Sequence, residues 1–255
     1  DGVLEKLYTL NPDYISCTYG AGGTNVGKNL EVLDKIVKDG KTTPVTHFTC
    51  IGNTKEDIRE KLQTYLDHGI NHMLALRGDL PFGWTGTNGD LHYATELVKF
   101  VRKEFGDKFT IAVAGSPEGH IACEDLNLSV EHLKQKQDAG ASFFVTQLFF
   151  DNECFYRFRE LADRAGITVP ITAGIMPFMS KSQISRMVFM CGASLPSPVI
   201  KILAKHENDP ESLQAAGVDY AARQLCDLKE HGADGLHLYT MNRPAIAATI
   251  MERLG

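Results

Sequence analysis

Seven short runs along this chain are almost continuously apolar or β-branched: Tyr14–Thr18, Val45–Cys50, His72–Leu76, Thr110–Ala114, Phe143–Phe149, Ile171–Ile175 and Gly235–Tyr239. Alternating apolar and polar positions mark a strand with one wet face. Continuous runs mark strands covered on both faces, as in parallel sheets. Between the runs the period changes to that of helices. Thr54-Lys55-Glu56-Asp57 reads as an N-cap and an acidic first turn, opening a helix that reaches Asp67 and stops at Gly69. Asp90–Phe105 carries an apolar stripe of Leu91, Ala94, Leu97, Val98 and Val101. Further helices are predicted over 27–39, 124–139, 152–165, 180–191, 210–231 and 243–254. Phrases built on a glycine at 68–70, 139–141 and 231–233 place a helix stop just before the next strand.

This alternation implies right-handed crossovers and a parallel sheet. The number of units, and the lack of a Gly-x-Gly-x-x-Gly turn after the first strand, favour an α/β fold of the (β/α)8 TIM-barrel type. A doubly wound sheet is the rival. The 255 residues fit one barrel domain spanning 1–255. Seven strands are one short of eight, and Val3–Leu10 reads as the end of a helix. The barrel is therefore expected to lack its first strand in these residues, with a βα unit of roughly 30–40 residues preceding them. A barrel missing one strand would leave two open edges.

Composition narrows the function. A net charge of −6, with 26 Lys and Arg spread along the chain, argues against a nucleic-acid partner. No apolar run approaches the length of a membrane span. Six cysteines form no C-x-x-C pair and match no zinc spacing, so reduced thiols in a cytoplasmic protein are expected, and no metal.

In parallel barrels the chemistry sits past the C-terminal ends of the strands. There this chain places Thr18 with the glycine-rich 20–23 segment, His47 within its strand, Arg77-Gly78-Asp79, Ser116-Pro117-Glu118-Gly119-His120, Gln147, and Tyr239-Thr240-Met241-Asn242-Arg243. A guanidinium and a carboxylate just past a buried strand must be paired or used. An amide amid Thr146-Gln147-Leu148-Phe149 needs partners, and a ligand would supply them. Each group also has a plainer reading: a tight turn, a core histidine, a mutual Arg77–Asp79 pair, a solvated arginine. Trp84 reads either as part of a lid or as an exposed aromatic.

At these residues the chain resembles the methylenetetrahydrofolate reductase family, in its short bacterial form without a regulatory domain. The resemblance is carried by Ser16-Cys17-Thr18-Tyr19-Gly20, Pro44–Cys50, Ala75–Pro81, Pro117-Glu118-Gly119-His120, Asp138–Ala141, Thr146–Asp151, Gly174–Pro177 and Leu238–Arg243, in family order over the whole chain. It implies non-covalent FAD and the reduction of 5,10-methylenetetrahydrofolate to 5-methyltetrahydrofolate, with NADH or NADPH as co-substrate. Reduced ferredoxin through a redox partner subunit is the other donor. A homo-oligomer is expected. By motif, Thr18, His47, Arg77, Gly78, Asp79, Tyr93, Ala94, His120, His132, Gln135 and Lys136 would contact FAD. Gln147, Gln183, Tyr239 and Arg243 would contact or lie near folate, and Asp79 would be catalytic. Ser129 stands where the family has an Asp, Ser116 where it has an aromatic, and Met187 where some members have Phe. The family's proton-donating Glu, on its first strand, has no counterpart among these residues. A flavin-free pterin-binding barrel such as a methyltransferase, and a non-catalytic barrel subunit of a redox complex, are the alternatives.

Overall fold

A computed structural model describes residues 2–18, 26–80, 83–123 and 125–254. The glycine-rich 20–23 segment lies outside the described residues. The elements open with α1 (Gly2–Tyr8), β1 (Tyr14–Cys17), α2 (Val26–Asp39), β2 (Thr43–Thr49), α3 (Lys55–Asp67) and β3 (His72–Leu76). They continue with α4 (Ala94–Phe105), β4 (Thr110–Gly115), α5 (Leu126–Asp138), β5 (Phe143–Thr146), α6 (Asn152–Arg164) and β6 (Ile171–Ile175). The last are α7 (Lys181–Cys191), α8 (Ser197–Lys205), α9 (Pro210–Glu230), β7 (Gly235–Leu238) and α10 (Pro244–Leu254).

The chain divides into two compact units. The first comprises Asn11–Ala114 with Gln135–Phe143, and the second Asp1–Leu10, Gly115–Lys134 and Phe144–Gly255. In the first, β1, β2, β3 and β4 pair in chain order, all parallel, with Ser16 opposite Val45, His47 opposite Leu74 and Met73 opposite Ile111. In the second, β5, β6 and β7 pair the same way, with Phe144 opposite Ile171 and Gly174 opposite His237. The expected parallel α/β architecture is thus present.

Each unit's core follows from the predicted patterns. In the first, Leu33 and Ile36 of α2, Ile58 and Leu62 of α3, and Leu97, Val98 and Val101 of α4 are fully buried. Asn29, also buried, is satisfied: its Nδ2 donates to the Cys17 carbonyl, and its Oδ1 accepts from Thr46 and Tyr65. In the second, Leu148, Phe150, Met176, Phe178, Ile184, Val199 and Leu213 form one cluster. Here α9 lies on β6 and β7, and α1 packs on α10.

Local chemistry sets the element ends. Thr54 and Asp57 form the capping box that opens α3, and Asp90 reaches back to accept from the Lys55 N–H at 2.8 Å. That engagement of Asp90 explains why α4 starts at Ala94 and not at Asp90, with extended Tyr93 as its N-cap. β5 ends at Thr146, three residues earlier than predicted, because Gln147 Oε1 accepts the Leu148 N–H and the following residues turn into the core. The pattern predicts no element over 192–209, yet α8 lies there. Its Pro198 suits a first turn, and its stripe is only Val199 and Leu203. Gly69, Gly140 and Gly232 all have positive φ (76°, 111° and 70°), as the recurring stop phrase requires.

Arg102 staples the first unit. Its guanidinium donates to the carbonyls of Gly140, Gly106 and Phe109 and to Ser142 Oγ, at 2.8 to 3.2 Å. Arg102→Met keeps the stem but leaves these acceptors bare. It should lower unfolding free energy by about 2–4 kcal/mol in urea titration; a loss under about 0.5 kcal/mol would show that water replaces the staple.

Candidate functional site

In the first unit the β2 and β3 ladder continues beyond the strands. Cys50 N–H donates to Leu76 O at 3.1 Å and Ile51 N–H to Arg77 O at 3.0 Å. The chain then turns at Gly78, with φ 93°. A Cβ there would stand 2.4 Å from Ile51 Cγ2 and 3.1 Å from Thr49 Cβ, so only glycine fits. Arg77 and Asp79 emerge on either side of this bare Cα. Among the described residues they form no ion pair with each other; the Arg77 Nε instead donates to Gly78 O at 3.2 Å. Asp79 is exposed. The mutual-pair reading of these two residues therefore does not hold.

The other predicted residues of this unit take their places by element. Thr18 follows β1, half-buried His47 lies on β2, and Tyr93 and Ala94 open α4, with Tyr93 63% exposed. Gln135 and Lys136 sit at the end of α5, Gln135 in solvent. Lys136 runs its stem inward, and its Nζ donates to the Ala114 carbonyl of β4 at 2.9 Å. Burial pulls its ammonium down to about 8. Trp84 lies beside Gly52, 3.6 Å from where a Cβ would be.

In the second unit, His120 sits in the β4–α5 loop. Its Nδ1 accepts the Ala122 N–H at 3.1 Å, and its own N–H donates to Ser129 Oγ at 3.2 Å. His132 is exposed on α5. Gln147 follows β5. Tyr239 follows β7, where its hydroxyl donates to Thr146 O at 2.8 Å and its ring lies 4.8 Å from that of His237. Burial lowers His237 to about 4, so it is neutral at physiological pH. Gly174 admits this arrangement, since a Cβ on it would fall 2.3 Å from Thr146 O and 2.9 Å from the Tyr239 ring.

Gln183 and Arg243 come together. They line one recess of about 350 Å³ with Met179, Ser180, Gln214 and Met241. Ser180 caps α7 through the Gln183 N–H, and Gln183 Oε1 accepts from Met179 N–H, which fixes its amide. Met241 and Asn242 before α10 both adopt left-handed backbone, φ 49° and 57°. Met179, Ser180, Gln214 and Met241 line the recess without having been expected there from the sequence. Met241 alone carried a signal, through its place in the Tyr239–Arg243 motif. Among the described residues no group of three His, Cys, Asp or Glu side chains is placed to hold a metal ion.

The family model for methylenetetrahydrofolate reductase matches residues 2–255. The chain belongs to the methylenetetrahydrofolate reductase family. It is 34% identical over 252 residues to the 5,10-methylenetetrahydrofolate reductase of Pectobacterium carotovorum, covering 99% of this chain and 83% of that protein. It is 34% identical over 246 residues to methylenetetrahydrofolate reductase 1 of Schizosaccharomyces pombe, covering 96% of this chain. It is 33% identical over 264 residues to an Arabidopsis thaliana methylenetetrahydrofolate reductase (NADH), covering 99% of this chain. The chain spans only 41% and 45% of these two eukaryotic relatives. Among solved structures, a Clostridium thermocellum protein that binds two copies of 5-methyl-5,6,7,8-tetrahydrofolic acid shares the fold, with TM-score 0.60 at 15% identity over 98% of this chain and 99% of that one. Among the described residues no helix is long and apolar enough to cross a membrane.

The Lys136 environment has a measurable consequence. Its folded-state pKa, about 8, lies below the ordinary value of 10.5. Between those values the unfolded chain binds one more proton than the folded one, so stability rises with pH across this window. Below about pH 8 the cost of burying the charge is fully present. Urea unfolding at pH 7.5 and pH 10 should show this rise as the difference between the parent and Lys136→Met. Identical pH dependence in the two proteins would contradict it.

Proposed function

We propose that this chain reduces 5,10-methylenetetrahydrofolate to 5-methyltetrahydrofolate in the cytoplasm, with hydride passing from NADH or NADPH by way of FAD, on a fold of the (β/α)8 TIM-barrel type. The observation that carries the reading is the recess where Gln183 and Arg243 meet. The family resemblance assigns both to folate from separate motifs, one on α7 and one before α10. The recess joins a cation for a carboxylate to the fixed amide of Gln183 and two thioethers that suit an aryl group.

The residues present fit FAD. Gly78 lets the chain turn tightly against Ile51 just past β3, so that Arg77 and Asp79 leave the strand end together. Arg77 commits one N–H to Gly78 O, and Lys136 one to Ala114 O, so each keeps donors for a diphosphate. Thr18, His47, Tyr93, Ala94, His120, His132 and Gln135 would complete its contacts. FAD, when bound, supplies reversible storage of a hydride.

The chain's own groups do the rest. The substrate must open to an iminium cation before it accepts hydride, and the exposed Asp79 carboxylate stabilises that cation electrostatically. Gln147 holds the pterin edge with its Nε2 donor. Its Oε1 keeps a second lone pair beyond the one given to Leu148. Tyr239, anchored on Thr146 O, bounds the same region. Arg243 pairs with the glutamate carboxylate.

The test is stopped-flow. Protein loaded with FAD and reduced anaerobically should be reoxidised by methylenetetrahydrofolate far faster than by buffer; equal rates would defeat the proposal. Asp79→Asn should slow this folate half-reaction by roughly a hundredfold and the nicotinamide half-reaction much less. Equal losses would confine Asp79 to the cofactor.

A further inference from the structure

The β4–α5 loop carries His120, and a different residue of the loop ties it to a distant segment of its unit. Both oxygens of Glu118 accept the backbone N–H of Ser194, at 3.2 and 3.0 Å. Ser194 lies in the connection between α7 and α8, 76 residues away in sequence. Beside that tie, Ile121 packs over Gly192, its Cβ 3.5 Å from where a glycine Cβ would stand. Gly192 is the left-handed C-cap of α7, φ 68°, so a side chain there would be strained as well as crowded.

Within the loop, Gly119 turns the chain at φ 92° and its N–H donates to Ser116 O at 3.0 Å. The Cys123 N–H donates to His120 O at 2.7 Å. His120 Nδ1 accepts the Ala122 N–H, so in the neutral ring the proton is on Nε2. The ring's direction is thus defined relative to the loop, and the loop's place is defined by Glu118 on Ser194 and by Ile121 on Gly192. Ser129 adds a tie to α5 through the His120 N–H.

We propose that Glu118 is a positioning residue: its carboxylate clamps the β4–α5 loop to the Ser194 backbone and thereby holds His120 in the orientation that binds the flavin cofactor. This rests on the proposed function above. The chemistry explains the residue type. A carboxylate accepts one N–H with two oxygens, making a charge-assisted bond that a neutral side chain matches only in part. The clamp meets the chain two residues past Gly192, the C-cap of α7, and the same helix carries Gln183 of the recess in its first turn.

FAD titration, followed by quenching of flavin fluorescence, tests this in the parent protein, Glu118→Ala, Glu118→Gln, His120→Ala and the Glu118→Ala/His120→Ala double variant. Glu118→Ala should weaken binding roughly tenfold, and Glu118→Gln, which keeps an acceptor, by less than about threefold. If Glu118 acts through His120, its replacement adds less than about twofold in the His120→Ala background. Circular dichroism confirms folding. If Glu118→Ala does not fold, Glu118→Asp, one methylene too short to reach, takes its place in the cycle. Parental affinity in Glu118→Ala, or a loss that persists undiminished without His120, overturns the inference. Failure of the parent protein itself to bind FAD would instead overturn the proposed function.

Discussion

The close approach of Ile51 to the bare Cα of Gly78 is the constraint on which the candidate site depends. The backbone bonds from Cys50 and Ile51 to Leu76 and Arg77 carry the β2–β3 pairing past the last regular residues. They draw the two loops so near that any Cβ at 78 would fall inside Ile51. The cost of placing a guanidinium and a carboxylate past a buried strand is met because Arg77 lies along its own backbone and Asp79 faces solvent. The same loop is tied again farther on, where Gly52 N–H donates to Thr87 O at 2.7 Å and Asp90 caps α3. Backbone bonds, and not side-chain pairs, therefore set where the two charges stand.

The second unit uses the same device elsewhere. Gly174 lets Tyr239 and Thr146 O meet. Gly217 lets α9 lie on the segment after β6, where a Cβ would fall 1.9 Å from Phe178 O. With α9 held that close, Gln214, one turn earlier, reaches the recess that Gln183 and Arg243 share. The tight backbone contact precedes the polar site, and the left-handed Met241 and Asn242 shape the approach to Arg243.

The strands were legible because burial on both faces leaves continuous apolar runs, and two of the seven, His72–Leu76 and Ile171–Ile175, have the predicted bounds. Helix stops were legible because positive φ selects glycine. Boundaries failed where a side chain served another element: Asp90 left the start of α4 to cap α3, and Gln147 turned the chain out of β5. The short α8 carried too little periodicity to detect. At the site, motif residues were visible as polar groups after apolar runs. Gln214 was not, because nothing in a helical sequence marks which exposed amide will face a recess. Ser129 read as the loss of a family carboxylate, and in the fold it caps the backbone of His120.

On the proposed function, the face built on Gly78 serves a flavin. The most direct measurement is the visible absorbance spectrum of the purified protein, before and after incubation with FAD and removal of the excess. Flavin bands should stay with the protein at close to one FAD per chain. A protein that stays colourless after incubation, with no flavin retained, would contradict it.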